Sequence, residues 1–471
     1  MLAARSARAQ DWVNRVAAIV TAVVALAAAA VAVGWLGVGS EGRWIVLDEL
    51  SGPFLAVIAL VGLGSALVSP DYLRTSHRSF FGATRARAYY YLCLYLFWAA
   101  LLVVPIIGNL GVAWVIVEAT TGISALLVAY NGRKTALEAG WKYLVLTTAG
   151  LGVALLGIVV LRAAAPAGGA AIAGLSWRGL AEAAPGMSRS TAVVGFMLVL
   201  CGLATKVGWA PVHNWLPDAH SEAPPPVSAL LSAALLPTVM LVAWRTQRAL
   251  VPVAGADLGR RVFIAFGLVS LAVAVPFLWR PQAWKRLLAY SSLEHMGVLA
   301  LGIGFGGPLA IAGVVVHVAG HAVAKSLGFY AAVPLFELRP SARTHPVRGL
   351  LGDGAGLATG MSVSLASLSG LPPSPLFFSE VLIIMGGFAS GNGVGAALAG
   401  VLLALGFVGL AHVLVQDLLA AGKGAPRSGV NGERAFRVAT IAAVVLLVAL
   451  AALSVFLPGT TFIESLAASL P

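Results

Sequence analysis

The sequence predicts an all-α polytopic membrane protein of about thirteen transmembrane helices, two of them discontinuous. Three observations predict it. Of 471 residues 59% are hydrophobic and 10% charged, where a soluble globular domain carries about a quarter charged residues. Apolar runs follow one another along the chain, each about as long as a bilayer-crossing helix. The alternating pattern of about ten residues that marks a barrel strand is absent, and in lipid the helix satisfies its own backbone amides.

The apolar runs are Val16–Val38, Leu50–Val68, Tyr89–Ile107, Asn109–Ala129 and Gly140–Leu161, then Thr191–His220, Pro226–Trp244, Val262–Trp279 and Leu287–Phe305. Leu309–Val333, Leu357–Met385, Val394–Val415 and Ala439–Phe456 complete the set. The longest connections fall near residues 69–88, 163–190, 335–353 and 417–437, so no soluble domain is expected. The first run follows Arg5, Arg8 and Arg15 like a signal peptide. Its length and the many spans after it make it an uncleaved first helix.

The net charge of +12 does not point to nucleic acid, because no basic block with interleaved aromatics is present. Positive charge belongs instead in cytoplasmic loops. With the N-terminus inside, the inside loops hold about 20 of the 30 Lys and Arg residues and the outside loops about 8. A cytoplasmic N-terminus and, for an odd helix count, an outside C-terminus follow. The loop after Trp244, with Arg245, Arg248, Arg260 and Arg261, runs against that trend. Cys93 and Cys201 lie in apolar runs, fit no metal spacing and predict no disulfide.

Two runs are interrupted. Gly195 to His220 reads GFMLVLCGLATKVGWAPVHNWLPDAH, with Pro211 and Pro217 as breaks; Gly370 to Glu380 reads GLPPSPLFFSE, with Pro372, Pro373 and Pro375. Proline removes a backbone donor and disrupts the preceding turn. Paired interrupted spans in the two halves of a transporter point to its ion path. Lys206 precedes Pro211 by five residues and Glu380 follows Pro375 by five. The likeness of the two sites suggests an inverted repeat, residues 89–250 and 262–416, flanked by N-terminal helices in 1–88 and a C-terminal loop and helix in 417–471.

A charge at mid-bilayer costs roughly 2.5–3.5 kcal/mol on insertion scales, so such residues are functional candidates. Glu118 lies mid-span in VIVEATTGIS, and Lys206 is deep in its own span. If they approach, each holds the other ionised and an arriving proton changes both; a static ion pair is the alternative. His317, His321 and Lys325 are spaced four apart and share one helix face, rising about 6 Å per step. Histidine shuttles protons near neutrality. Histidines four apart also bind zinc, but no carboxylate nearby in the sequence completes a ligand set, so no metal site is expected. Glu294 and His295, in YSSLEHMG, either feed the same polar path or form an interfacial pair near Lys285 and Arg286. Asp218, His220 and Glu222, in WLPDAHSEAPPP, are a proton entry or a turn cap. His412 and Asp417 read as surface residues. No nucleophile elbow, phosphate loop or cluster motif is present, so no catalytic residue and no cofactor is assigned to this chain.

The stretches KVGWAPVHNWLPDAHSEAPPPVSALLSAALL, WKRLLAYSSLEHMGVLALGIGFG, HVAGHAVAKSLGFYAA and LPPSPLFFSE resemble the antiporter-like proton-translocating subunits of respiratory complex I, Mrp-type sodium/proton antiporters and group 4 membrane hydrogenases. The resemblance covers roughly residues 89–420. SEAPPPVSALLS, AYSSLEHMG and HAVAKSLGF look most like the hydrogenase-4 and formate hydrogenlyase branch. The resemblance implies that Glu118 matches the glutamate of the family's fifth helix and Lys206 the lysine of its broken seventh. His321 and Lys325 then belong to the central polar helix, and Glu380 to the broken twelfth. The family's fourteen helices imply one fewer here, near the N-terminus. One departure stands out: where the family often places a second lysine in a pattern like LLK, this chain reads Leu235, Leu236, Pro237. A proline cannot relay a proton, so the link from Lys206 to the central histidines rests on water, on Thr238 or on nothing. No long lateral C-terminal helix is evident.

The resemblance thus implies a proton- or sodium-translocating subunit of a redox-driven complex in the inner (plasma) membrane, with Glu118, Lys206, His317, His321, Lys325 and Glu380 as its path. Its partners would be other membrane subunits and a peripheral hydrogenase-like arm holding the metal clusters. An Mrp-like antiporter subunit and a non-conducting scaffold are the alternatives.

Overall fold

The computed structural model describes residues 6–34, 44–75, 79, 85–165, 173–350, 355–419 and 433–468. In chain order the helices are α1 (Ala7–Ala32), α2 (Ser51–Thr75), α3 (Ala86–Val103), α4 (Leu110–Val128), α5 (Lys134–Ala164) and α6 (Trp177–Ala183). Next come α7 (Arg189–Val207), α8 (Leu216–Glu222), α9 (Pro225–Ala229), α10 (Leu236–Ala254), α11 (Ala256–Leu278) and α12 (Trp284–Phe305). The last are α13 (Gly307–Leu338), α14 (Ala355–Leu368), α15 (Pro375–Ala389), α16 (Gly393–Val413), α17 (Glu433–Phe456) and α18 (Thr461–Ala468).

Among the described residues 12 helical runs are long and apolar enough to cross a membrane, α9 and α10 counting as one. The shorter α14 and α15 together supply one more, interrupted crossing. The polytopic all-α architecture and the expected helix number both hold. Several helices outrun their apolar windows. α1 begins at Ala7, where the Ser6 side chain accepts from the Ala9 amide. Its Asp11 is buried because Tyr91 and Arg87 donate to it, and the Asn14 side chain donates to the Ala66 carbonyl at 2.8 Å.

The most apolar stretches of the α9–α10 crossing and of α12 are wholly buried inside the chain, whereas α1 and α16 bury 28% of theirs. The interior therefore belongs to α9–α10, α12 and much of α13, with the other helices around them. Glu294, His295, His317, His321 and Lys325 lie on this interior set, whereas Glu118, Lys206 and Glu380 lie on α4, α7 and α15 around it.

Each broken crossing is clamped to a long neighbour by glycine. A Cβ at Gly202 on α7 would lie 2.5 Å from the Gly150 carbonyl oxygen of α5. A Cβ at Gly386 on α15 would lie 2.6 Å from the Ala310 amide of α13. Small residues let helix backbones touch in this way, and that contact fixes where Lys206 and Glu380 stand.

Two of the arginines after Trp244, Arg245 and Arg260, prove to be structural. α10 runs on to Ala254, so Arg245 is helical rather than a loop residue. Its guanidinium is buried and donates to Asp48 at 2.6 Å, to the Ser51 hydroxyl at 2.8 Å and to the Pro105 carbonyl at 2.8 Å. Arg260 donates to the Gly304 and Phe305 carbonyls and so caps the end of α12. Charges tied down like this are a weak guide to loop orientation, which explains their departure from the trend.

Candidate functional site

Glycine, rather than proline, ends the first half of each broken crossing. Gly208 closes α7 at φ 81° and Gly370 follows α14 at φ 72°, left-handed values that favour glycine. Pro211 and Pro373 each follow three residues later. Pro217 does not break a helix, as the sequence suggests, but lies in the first turn of α8, where its missing amide is harmless. Pro375 opens α15 in the same manner, after a Ser374 cap.

The first break holds Lys206 in the last turn of α7, where free carbonyls favour a cation. Lys206 is 0% exposed. Its ammonium donates to the Thr121 hydroxyl of α4 at 2.8 Å and to the Tyr143 hydroxyl of α5, lying 4.5 Å from that ring's centre. Ser124 donates to the Thr120 carbonyl, which leaves its oxygen to accept from Tyr143 at 2.8 Å. Glu118, one turn before Thr121, accepts from Thr148 at 2.8 Å. Its charge reaches Lys206, but the two form no direct ion pair. The static pair weighed from the sequence is thus not what the structure holds. Glu118 is also only partly buried, towards the chain's flank, where Thr148 is exposed.

The second break gathers α12, α13 and α15. His317, His321 and Lys325 of α13 are all 0% exposed. The Lys325 ammonium donates to the Leu288 carbonyl at 2.6 Å and to the Ser291 hydroxyl. Glu294 and His295 sit midway along α12, so the interfacial pairing with Lys285 and Arg286 does not occur. His295 Nδ1 lies 3.1 Å from His317 Nε2, and His317 Nδ1 lies 2.9 Å from the Ser379 hydroxyl. The charge of Glu294 reaches Lys325. Glu380, on α15, brings a carboxylate oxygen to the His295–His317 pair, the three donor atoms lying within 4.8 Å of one another. The carboxylate missing from the sequence around the histidines therefore arrives from the other side of the break. Gly370 makes room for it: a Cβ there would stand 2.7 Å from Glu380 Oε2.

Between the breaks, the stretch Leu230–Leu235 forms a π-helical turn ahead of Pro237, all of it buried and without an ionisable group. Proline removes the amide that would continue the α-helical ladder, and π-turns recur at functional sites. Thr238 turns its hydroxyl back to the Ala234 carbonyl at 2.7 Å, so it does not point along a relay. Ser232 of the π-turn instead pairs with Ser292 of α12 at 2.7 Å. The WLPDAHSE residues part company. Asp218 pairs with Arg286 at 3.2 Å and Glu222 with Arg133 at 2.9 Å, both partly exposed. His220 turns inward, fully buried, with its Nδ1 2.9 Å from the Leu216 carbonyl. A carbonyl only accepts, so the ring carries its proton on Nδ1 and keeps Nε2 as an acceptor. The charge of Lys325 reaches it.

His412 is exposed on α16, and the side chain of Asp417 lies outside the described residues. Cys93 and Cys201 are both free, one buried and one exposed. Sequence reasoning missed the hydroxyls: Thr121, Ser124, Tyr143, Ser232, Ser291, Ser292 and Ser379. Adjacency to a charged candidate was the available signal: Thr121 and Ser124 share VIVEATTGIS with Glu118, Ser291 and Ser292 share YSSLEHMG with Glu294, and Ser379 directly precedes Glu380.

Residues 108–406, more than half of the chain, match the transmembrane family described as NADH:quinone oxidoreductase/Mrp antiporter. The chain is 31% identical over 390 residues to a hydrogenase-4 component F homolog of Methylacidiphilum infernorum, covering 82% of this chain and 80% of that one. It is 30% identical over 404 residues to NADH-quinone oxidoreductase subunit N of Desulforudis audaxviator, covering 83% and 75%. Its fold is similar to a chain of the membrane-bound sulfane sulfur reductase, an archaeal respiratory membrane complex, with TM-score 0.84, 20% identity and coverage of 98% and 92%. It is also similar to a chain of the Mrp complex from Dietzia sp. DQ12-45-1b, with TM-score 0.79, 19% identity and coverage of 98% and 93%. On the family match and the identity to both curated relatives, the chain belongs to the NADH:quinone oxidoreductase/Mrp antiporter transmembrane family.

Proposed function

We propose that this chain is the proton-translocating membrane subunit of a redox-driven complex of the hydrogenase-4 kind. One observation carries the reading. Two broken helices each present one ionisable group, Lys206 and Glu380, and buried hydroxyl, imidazole and carboxylate groups occupy the interior between them. Residues 89–250 and 262–416 act as the two units of an inverted repeat, each with its fourth crossing broken.

A proton reaching Glu118 changes the field at Lys206, which hands charge to the Tyr143 and Ser124 hydroxyls around it. His220 then takes the place of the lysine that Pro237 displaces. It is a buried acceptor on the broken helix of the first unit, within the field of Lys325 in the second. From Lys325 the charge shift passes by Ser291 and Glu294 to His295, His321, His317 and Glu380. Asp218 and Glu222, paired at the rim, serve coupling or entry rather than the interior relay. The driving energy comes from partner subunits, which carry the metal clusters and any quinone site in a peripheral arm. The N-terminus faces the cytoplasm and the C-terminus the outside of the plasma membrane, in line with the Lys and Arg counts.

The test replaces Lys206, His220 or Glu380 singly (Lys206→Ala, His220→Gln, Glu380→Ala) in the assembled complex. Pumping lost at unchanged redox turnover is the expected result. Normal assembly with unchanged pumping in all three overturns the reading. Sodium-dependent exchange without redox turnover would move the chain to the Mrp-like class. The absence of an ionisable group over Leu230–Thr238 favours one second reading, a non-conducting scaffold, in which pumping persists when this subunit is removed.

A further inference from the structure

We propose that His295, His317 and Glu380, with His321 completing the shell, form a binding site for a first-row divalent cation, best fitted by zinc. The donors come from three helices, α12, α13 and α15, and their ligand atoms already lie within 4.8 Å of one another. Tetrahedral zinc holds nitrogen and oxygen ligands at about 2.0–2.2 Å, so donors in a filled site stand about 3.3 Å apart. His295 Nδ1 and His317 Nε2 are 3.1 Å apart as they stand. Of these three donors only the flexible Glu380 side chain has to close in, by about 1.5 Å at most.

The protonation pattern suits a metal. Ser379 donates its hydroxyl proton to the Leu376 carbonyl at 2.7 Å. Its oxygen therefore accepts from His317 Nδ1, and the Nε2 lone pair of His317 faces the cluster. Metal-bound histidines are oriented by this kind of outer hydrogen bond. In the empty cluster His295 Nδ1–H donates to His317 Nε2. On cation binding the His295 proton moves to its Nε2, where the Leu368 carbonyl is the acceptor, and the ring stays neutral. His321 stands beside the three but outside their 4.8 Å group, and becomes a fourth donor when its ring moves in. It is fully buried, neither ring nitrogen has a partner within the chain, and its centroid is 5.1 Å from that of His295.

The Glu380 and Glu294 carboxyl groups are near enough to feel one another, and the Lys325 ammonium acts on His295 and His321. The nitrogen-rich donor set selects zinc, copper or nickel over magnesium or calcium. Glu380 is the one member of the cluster that is not fully buried, beside the Gly370 break, which gives the ion its way in. An ion there would tie α12, α13 and α15 together across the polar interior and stop charge movement. That last consequence rests on the proposed function; the binding site does not.

The test is a zinc titration of the purified full-length chain in nanodiscs, with cobalt as a spectroscopic stand-in. The expected result is one zinc per chain and a tetrahedral cobalt spectrum. Glu380→Gln and His317→Gln each abolish both signals, and Ser379→Ala weakens zinc binding by about tenfold. His345→Ala, an exposed histidine, changes nothing. A monodisperse size-exclusion profile shows that each variant folds, and Ser379→Ala provides the mild case if a ligand variant does not. Substoichiometric zinc in the native chain, or equal affinity in Glu380→Gln, His317→Gln and Ser379→Ala, overturns the site. Stoichiometric zinc with zinc-insensitive pumping leaves the site standing and overturns the path through it.

Discussion

Gly406 of α16 lies directly against the carboxylate of Glu294: a Cβ at position 406 would stand 1.9 Å from Oε1. No other side chain could occupy that position without moving the acid. The glycine lies within an apolar run, GVLLALGFVG, where nothing in the sequence marks it as the wall of a polar pocket.

Gly406→Ala should therefore push the Glu294 carboxylate aside. Overpacking of this kind costs about 1–3 kcal/mol, so the variant should assemble with a lowered thermal midpoint. Pumping per redox turnover should fall as far as it does in Glu294→Gln. Proton uptake by proteoliposomes measures both, and native pumping in Gly406→Ala would remove Glu294 from the path.

Tyr143 is the hydroxyl between Lys206 and Ser124. Tyr143→Phe leaves the buried ammonium with Thr121 as its remaining side-chain partner, at a cost of about 1–3 kcal/mol. Translocation should slow several-fold without stopping, whereas Lys206→Ala stops it. A native rate in Tyr143→Phe, measured at matched turnover, would show that the hydroxyl only holds the lysine in place.

Arg245 is buried and pairs with Asp48, whose side chain is 26% exposed. Removing the arginine costs about 1–3 kcal/mol, because the Ser51 hydroxyl, the Pro105 carbonyl and the partly screened carboxylate lose their donor. Arg245→Ala should sharply lower the yield of assembled complex and its thermal midpoint. Arg245→Met with Asp48→Asn should recover much of both. Unchanged stability in Arg245→Ala would mean that the pair is solvated.

Ser232 and Ser292 link the π-turn to α12. A double-mutant cycle with alanine at both positions should give a coupling of about 0.5–1.5 kcal/mol, read from thermal midpoints. Zero coupling would show that the π-turn packs on α12 without this bond.

Much of the architecture was legible in the sequence because a charge in an apolar run is costly and therefore rare. Glu118, Lys206, His317, His321, Lys325 and Glu380 stand out for that reason, and so do the two interruptions. What stayed hidden depends on distance in space. Hydroxyls are cheap in a helix, since they bond to a carbonyl one turn back, as Ser292 does with Leu288. Composition therefore could not separate Ser292 or Ser379 from ordinary serines. Gly208 and Gly370 were overshadowed by the prolines after them, although their left-handed backbone ends the helical stretch. The family relationship read from WLPDAH and its neighbours holds, and it could not have reported that, of Asp218, His220 and Glu222, His220 turns inward and the two acids do not.

The latch between Arg245 and Asp48 also sets an order on synthesis. Asp48 emerges from the ribosome 197 residues before Arg245. For the whole interval in which α2 to α9 are threaded, the acid has no arginine to meet. The two residues find each other only if every intervening crossing has been laid down in register, so that both arrive at the same membrane face. A slipped or skipped crossing would strand a lone carboxylate and a lone guanidinium on opposite faces. The pair closes only once α10 is in place, and a chain that has skipped a single crossing lacks it.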